Sequence, residues 1–135
     1  LSVGILMMTH HPCGEDLLRV ATAILGGRPP GVEAMEVVND VPCEIVTAEA
    51  AERLERLDTG EGVLILTDLY GSTPANVAVS LLAIHERSRV IAGLNLPMLL
   101  RALTYAALDL DAVAEKALQG GRDGVLLCSR RDDRT

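Results

Sequence analysis

Gly62-Val63-Leu64-Ile65-Leu66-Thr67-Asp68 is apolar from Val63 to Leu66, without polar alternation, and ends in a hydroxyl and an acid. A strand with one wet face alternates, whereas a strand covered on both faces by crossover helices reads as an unbroken apolar run. The stretch therefore reads as a central parallel strand. Upstream, Val3-Gly-Ile-Leu-Met-Met8 has the same character, and from Glu15 to Leu25 the side chains of Leu17, Leu18, Ala21, Ile24 and Leu25 form one helical stripe, stopped by Gly26-Gly27. After the turn Arg28-Pro29-Pro30-Gly31, Val32 to Val38 alternates as a second strand. Ala48 to Leu57 is an acid-rich outer helix whose Glu49, Glu52 and Glu55 form a solvated face.

Downstream, Thr73-Pro74 reads as a cap residue followed by proline at the first helical position, with the stripe Val77, Ala78, Leu81 and Leu82 behind it. A fourth strand, Val90 to Leu94, leads through Asn95-Leu96-Pro97 into a helix from Met98 to Ala107. Leu110 to Leu118 forms a short helix that Gly120-Gly121 breaks, and Gly124 to Cys128 a last strand. Strands alternating with helices at this spacing define an α/β, doubly wound, mostly parallel sheet: four parallel strands plus a C-terminal edge strand, helices on both faces, and right-handed crossovers. Residues 1–129 form one domain, and the charged tail 130–135 is expected to be disordered.

At 135 residues and 49% hydrophobic, the chain can bury a core without disulfides or metal. A net charge of -7 argues against nucleic acid, and with Tyr70 and Tyr105 as the only aromatics there is no platform for stacking bases. Cys13, Cys43 and Cys128 form no C-x-x-C pair and suit a reducing cytoplasm, where the protein is expected. No apolar run is long enough to span a bilayer, and no basic flank marks a signal peptide, so no membrane insertion is expected.

Three strand ends carry polar groups to one edge of such a sheet: Thr9-His10-His11, Asp68 with Gly71-Ser72-Thr73, and Asn95. If the first and third strands are neighbours, the crevice between them is the switch point where open α/β sheets bind ligands, and the helices starting there offer N–H groups to an anion. An imidazole beside a carboxylate has its tautomer set by one ring nitrogen and keeps the other as a nucleophile. Ser72 sits in no G-x-S-x-G elbow, which argues against acyl transfer. Phosphoryl transfer to His10 fits better. The chain has no G-x-x-x-x-G-K-[ST] loop and its one lysine, Lys116, lies on a late helix, so the phosphate is expected from another protein or a small donor rather than from ATP. His10, His11 and Cys13 could begin a metal site, but no second His or Cys cluster completes it, and no metal or cofactor is expected. His85 reads as a helix-terminal or surface group.

Taken in order, Thr9-His10, Glu15 with Leu17-Leu18, Gly62 to Asp68, Gly71-Ser72-Thr73-Pro74, Val90-Ile-Ala-Gly-Leu-Asn95-Leu-Pro97-Met-Leu and Gly121-Arg122-Asp123-Gly124-Val resemble the IIA components of the mannose class of the bacterial phosphoenolpyruvate-dependent sugar phosphotransferase system. The resemblance covers nearly the whole chain. It implies that His10 accepts a phosphoryl group from the phosphocarrier protein HPr and passes it to a IIB protein, with Asp68 orienting the ring. Thr73 with Thr9, Gly71, Ser72 and nearby amides would hold the phosphate. It also implies a homodimer in which the last strand, Gly124 to Cys128, crosses to the partner's sheet.

His11, Pro12, Leu69, Tyr70, Asn95 and Met98 are candidate contacts for partner proteins. No IIB module follows Cys128, so the acceptor is expected to be a separate polypeptide. Two departures stand out: His11 occupies a place usually held by glycine, making it a rival phosphorylation site, and Leu69 replaces a usual threonine. Two alternatives stay open, a regulatory IIA protein that reports phosphorylation state without moving sugar and the phosphoryl-donor subunit of dihydroxyacetone kinase.

Overall fold

A computed structural model describes residues 1–130. Four parallel strands, β1 (Gly4–His10), β2 (Val32–Val37), β3 (Val63–Thr67) and β4 (Ser88–Ala92), lie in the order β2-β1-β3-β4. Five helices connect or follow them: α1 (Cys13–Leu25), α2 (Cys43–Leu57), α3 (Thr73–Leu81), α4 (Leu96–Thr104) and α5 (Leu110–Asp123). Chain direction across the sheet reverses after β2. With crossovers of one hand, that reversal must place α1 on one face and α2 and α3 on the other.

The packing follows this division. Ile5 and Met7 of β1 and Leu64 and Leu66 of β3 pack with Leu18 of α1, Leu99 and Ala102 of α4, and Val113 and Ala117 of α5. Leu6 and Met8, with Val63 and Ile65, pack on the opposite face with Ala50 and Leu54 of α2 and with Val77, Ala78 and Leu81 of α3. Every residue of β3 is buried, as the unbroken apolar run from Val63 to Leu66 requires. Each large apolar side chain so covered contributes about 1.5–3 kcal/mol relative to exposure, so the sheet forms a stiff base for the loops at its carboxyl edge.

The C-terminal third differs from its sequence reading. Gly120-Gly121 does not break the last helix, which runs on to Asp123. These glycines serve close packing: a Cβ on Gly120 would come within 2.3 Å of Arg101 Cγ, and one on Gly121 within 2.7 Å of Met98 Cε. Gly124 to Cys128 is not a strand within this chain. It is irregular and exposed, with Leu127 100% accessible. An apolar segment needs a sheet edge to become a strand, and this chain's own sheet does not receive it. The expectation for the tail beyond Arg130 lies outside the described residues.

Candidate functional site

Strands β1 and β3 are adjacent and in register from Gly4↔Val63 to Met8↔Thr67, so both reach the carboxyl edge of the sheet side by side. Because the strand order turns back at this pair, the crevice above it is a topological switch point. His10 is the last residue of β1, and Asp68 follows the last residue of β3. The carboxylate Oδ2 lies 2.9 Å from His10 Nδ1 and also accepts the His10 backbone N–H at 3.0 Å, while Oδ1 accepts the N–H of Leu69 at 3.0 Å.

Burial acts to raise the Asp68 carboxyl. The hydrogen bonds from the His10 ring and backbone, with the ring's charge, outweigh it and hold the carboxyl below its ordinary range. An ionised carboxylate only accepts, so the proton of the pair belongs on Nδ1 and the neutral ring keeps its lone pair on Nε2. The His10 side chain is 47% exposed, so the ring is open to an approaching reactant.

The loop after Asp68 turns through Gly71, whose φ of +83° suits glycine, into α3. Ser72, rather than Thr73, is the N-cap: its hydroxyl accepts the N–H of Ala75 and donates to the carbonyl of Leu69 at 2.6 Å. Thr73 is exposed at the first helical position with Pro74 behind it. Of the first-turn N–H groups, that of Ala75 goes to Ser72 and Pro74 has none, leaving that of Thr73 without a helical partner.

Several sequence-chosen residues have other tasks. Thr9 is fully buried; its hydroxyl accepts the N–H of Gly14 at 2.8 Å and donates to the carbonyl of His10, so it ties the β1-α1 loop together and does not face a phosphate. The start of α1 is likewise occupied: the N–H groups of Gly14, Glu15 and Asp16 bond to Thr9 Oγ1, Glu36 Oε2 and the carbonyl of Pro12. At the α3 end of the crevice the Thr73 N–H stays open to an anion. Asn95 caps α4 by accepting the N–H of Met98 at 3.0 Å, and its amide donates to the carbonyl of Gly121, so both ends are structural. Met98 is 3% exposed and belongs to the core, which removes it from the partner contacts. Leu69 and Tyr70 are exposed beside Asp68, and His11 and Pro12 are exposed after β1. His85 is not a surface group: its ring is half-buried with Nε2 3.0 Å from Asp58 Oδ2.

The residue that the sequence reading missed is Glu36 of β2. Its Oε1 lies 2.6 Å from His11 Nδ1. Its signal was only an acid within an alternating strand, and pairing β2 with β1 is what aligns Glu36 with Thr9 and brings it beside the His10-His11 step. Among the described residues, no three His, Cys, Asp or Glu side chains gather as a metal site, and no helix is long and apolar enough to cross a membrane.

An open α/β sheet with an exposed histidine held by an acid at its switch point defines a histidine-centred α/β site of the kind suited to group transfer. The family model described as "PTS system fructose IIA component" matches residues 4–118. The chain belongs to this family, the mannose-class IIA components of the sugar phosphotransferase system. It is 33% identical over 127 residues to the mannose-specific EIIAB component of Escherichia coli, which covers 93% of this chain and 39% of that protein. The chain thus spans well under half the length of that relative. A 42-residue stretch, 31% of this chain and 29% of the relative, is 48% identical to the fructose-specific EIIA component of Bacillus subtilis. Among solved structures, the mannose/sorbose-specific IIA subunit of Enterococcus faecalis superposes with a TM-score of 0.86 at 26% identity, covering 98% of each chain.

Proposed function

We propose that the protein is a phosphocarrier that takes a phosphoryl group onto His10 Nε2 from phospho-HPr and yields it to a IIB protein or domain. The observation that carries this reading is the 2.9 Å contact between His10 Nδ1 and Asp68, on an exposed ring at the β1-β3 crevice. The Nε2 lone pair forms the new bond to phosphorus while the donor's bond to phosphorus breaks, its electron pair returning to the donor. The Nδ1 proton stays on the ring, which becomes cationic, and Asp68 stabilises that charge. The exposed Thr73 hydroxyl and N–H, with the Gly71 N–H, are the donors available to phosphoryl oxygens, the Ser72 N–H being given to the Leu69 carbonyl. Leu69, Tyr70, His11 and Pro12 form the rim against which protein donor and acceptor would dock. The exposed Val125-Leu126-Leu127 segment supports a homodimer in which it pairs with the sheet edge of a second copy.

Incubation with phosphoenolpyruvate, enzyme I and HPr tests the reading. It requires an acid-labile, alkali-stable phosphate that disappears in His10→Ala. Label that survives in His10→Ala and is lost in His11→Ala would assign the chemistry to the wrong imidazole.

A further inference from the structure

His11 repeats the arrangement of His10 on the other side of the β1 terminus. Its Nδ1 lies 2.6 Å from Glu36 Oε1, and Glu36 is itself fixed by the Glu15 N–H on Oε2, so the Nε2 edge points away from that carboxylate. The two rings line one cavity of about 270 Å³ with Val37, Val38 and Asn39, and among the described residues no lysine or arginine lines it. The ring is 62% exposed.

The surroundings are acidic: Glu36 from β2, Glu15 and Asp16 from the start of α1, and Asp68 after β3, with Arg19 committed to Asp16 at 2.6 Å and with His10 and Cys13 as further titratable groups. Burial first, and then the charges of Asp68, Asp16 and Glu36, push the Cys13 thiol up. A phosphoryl group on His10 adds up to two negative charges to a cavity whose only other cation-forming group, among the described residues, is His11. The N–H groups of Gly14, Glu15 and Asp16 beside His11 are taken, and so are closed to a phosphoryl group on His11 itself.

Resting on the phosphocarrier reading, we propose that His11, held by Glu36, is a second functional imidazole: protonated, it donates from Nε2 to the phosphoryl group carried by His10. Glu36 stabilises the cation through Nδ1, the phosphoryl oxygen accepts at Nε2, and no bond to phosphorus forms at His11. It is a positioning and charge-compensating residue beside the acceptor.

The test follows phosphorylation by phospho-HPr and the phosphorus NMR shift of the phosphoprotein against pH, in the wild type, His11→Ala, His11→Gln and Glu36→Gln. All four should carry label on His10. The wild-type signal should show a pH-dependent step that is absent in both His11 variants. His11→Ala should take up phosphate about 10-fold more slowly, the loss expected when a hydrogen bond between charged groups is removed. His11→Gln, which can still donate, should recover part of that rate without the step. An unchanged titration and rate in His11→Ala, with His10 labelled, would overturn the role of His11 alone. Label placed on His11 at the wild-type rate in His10→Ala would overturn it in favour of a second acceptor. A wild-type protein that takes no label at all would remove the phosphocarrier reading and this one together.

Discussion

A single carboxylate organises the first imidazole: Asp68 Oδ2 receives both the ring and the backbone N–H of His10, so it fixes ring rotation and tautomer at once. Asp68→Asn keeps an acceptor but loses the charge that, on the proposed function, would stabilise a phosphorylated ring. Its phosphoryl transfer should fall by at least about 10–100-fold, the range for losing a carboxylate that orients a metal-bound histidine, with its circular dichroism spectrum unchanged. The lowered carboxyl also links to stability. A depressed folded-state value contributes stability that is present above the unfolded value of 3.8 and is lost as pH falls through the lower folded one. Acid unfolding of Asp68→Asn should therefore be shallower than that of the wild type below about pH 4, a difference read from urea midpoints across that range. Equal slopes would mean that the carboxyl is not held down in the folded chain. His10 and Asp68 were legible as candidates because each stands at the carboxyl end of an apolar strand, where an open α/β sheet gathers its polar groups. Glu36 was not, because an acid in an alternating strand is ordinarily just its solvent face.

At the scale of elements, the α4-α5 contact shows how one residue type carries opposite meanings. Paired glycines ordinarily end helices, and Gly26 does so after α1 in the left-handed region, with φ +81°. Gly120-Gly121 instead continues α5, because the Arg101 and Met98 side chains of α4 occupy the space that a Cβ would need. Replacing Gly120 with alanine gains about 1 kcal/mol in helix propensity and forces Arg101 aside at about 1–3 kcal/mol. Since the nearest atom is an inner Cγ at 2.3 Å and the next is Cβ at 3.1 Å, the clash should prevail. Gly120→Ala should lower the urea midpoint with an unchanged m-value, and a raised midpoint would show that α4 yields freely. Helix starts follow the same logic: Ser72 rather than Thr73 caps α3 because its hydroxyl meets Ala75, a one-residue difference that spacing does not resolve.

For the whole molecule, the apolar stretch 125–127 lies bare on a chain whose other large apolar residues mostly pack on the two faces of one sheet. Leu126 and Leu127 together expose a surface that water opposes and that a second sheet edge would cover. If the chain pairs through this stretch as proposed, the wild type should sediment as a dimer and Leu126→Asp combined with Leu127→Asp as a monomer, with the thermal unfolding of each subunit still cooperative. A wild-type chain that sediments as a monomer at all concentrations would dismiss the dimer.

By itself, the sequence determined the α/β class, the strand and helix alternation and the histidine and acid at the strand ends, because hydrophobic period and chain punctuation are local and survive without knowledge of neighbours. Tertiary structure alone decided which strands lie side by side. That adjacency brought Asp68 to His10 and Glu36 to His11, turned Thr9, Asn95 and Met98 into structural members, and left Gly124 to Cys128 without a sheet edge in its own chain. Whether a polar side chain is free for chemistry depends on which distant donor or acceptor has already claimed it, and that is a property of packing rather than of order along the chain.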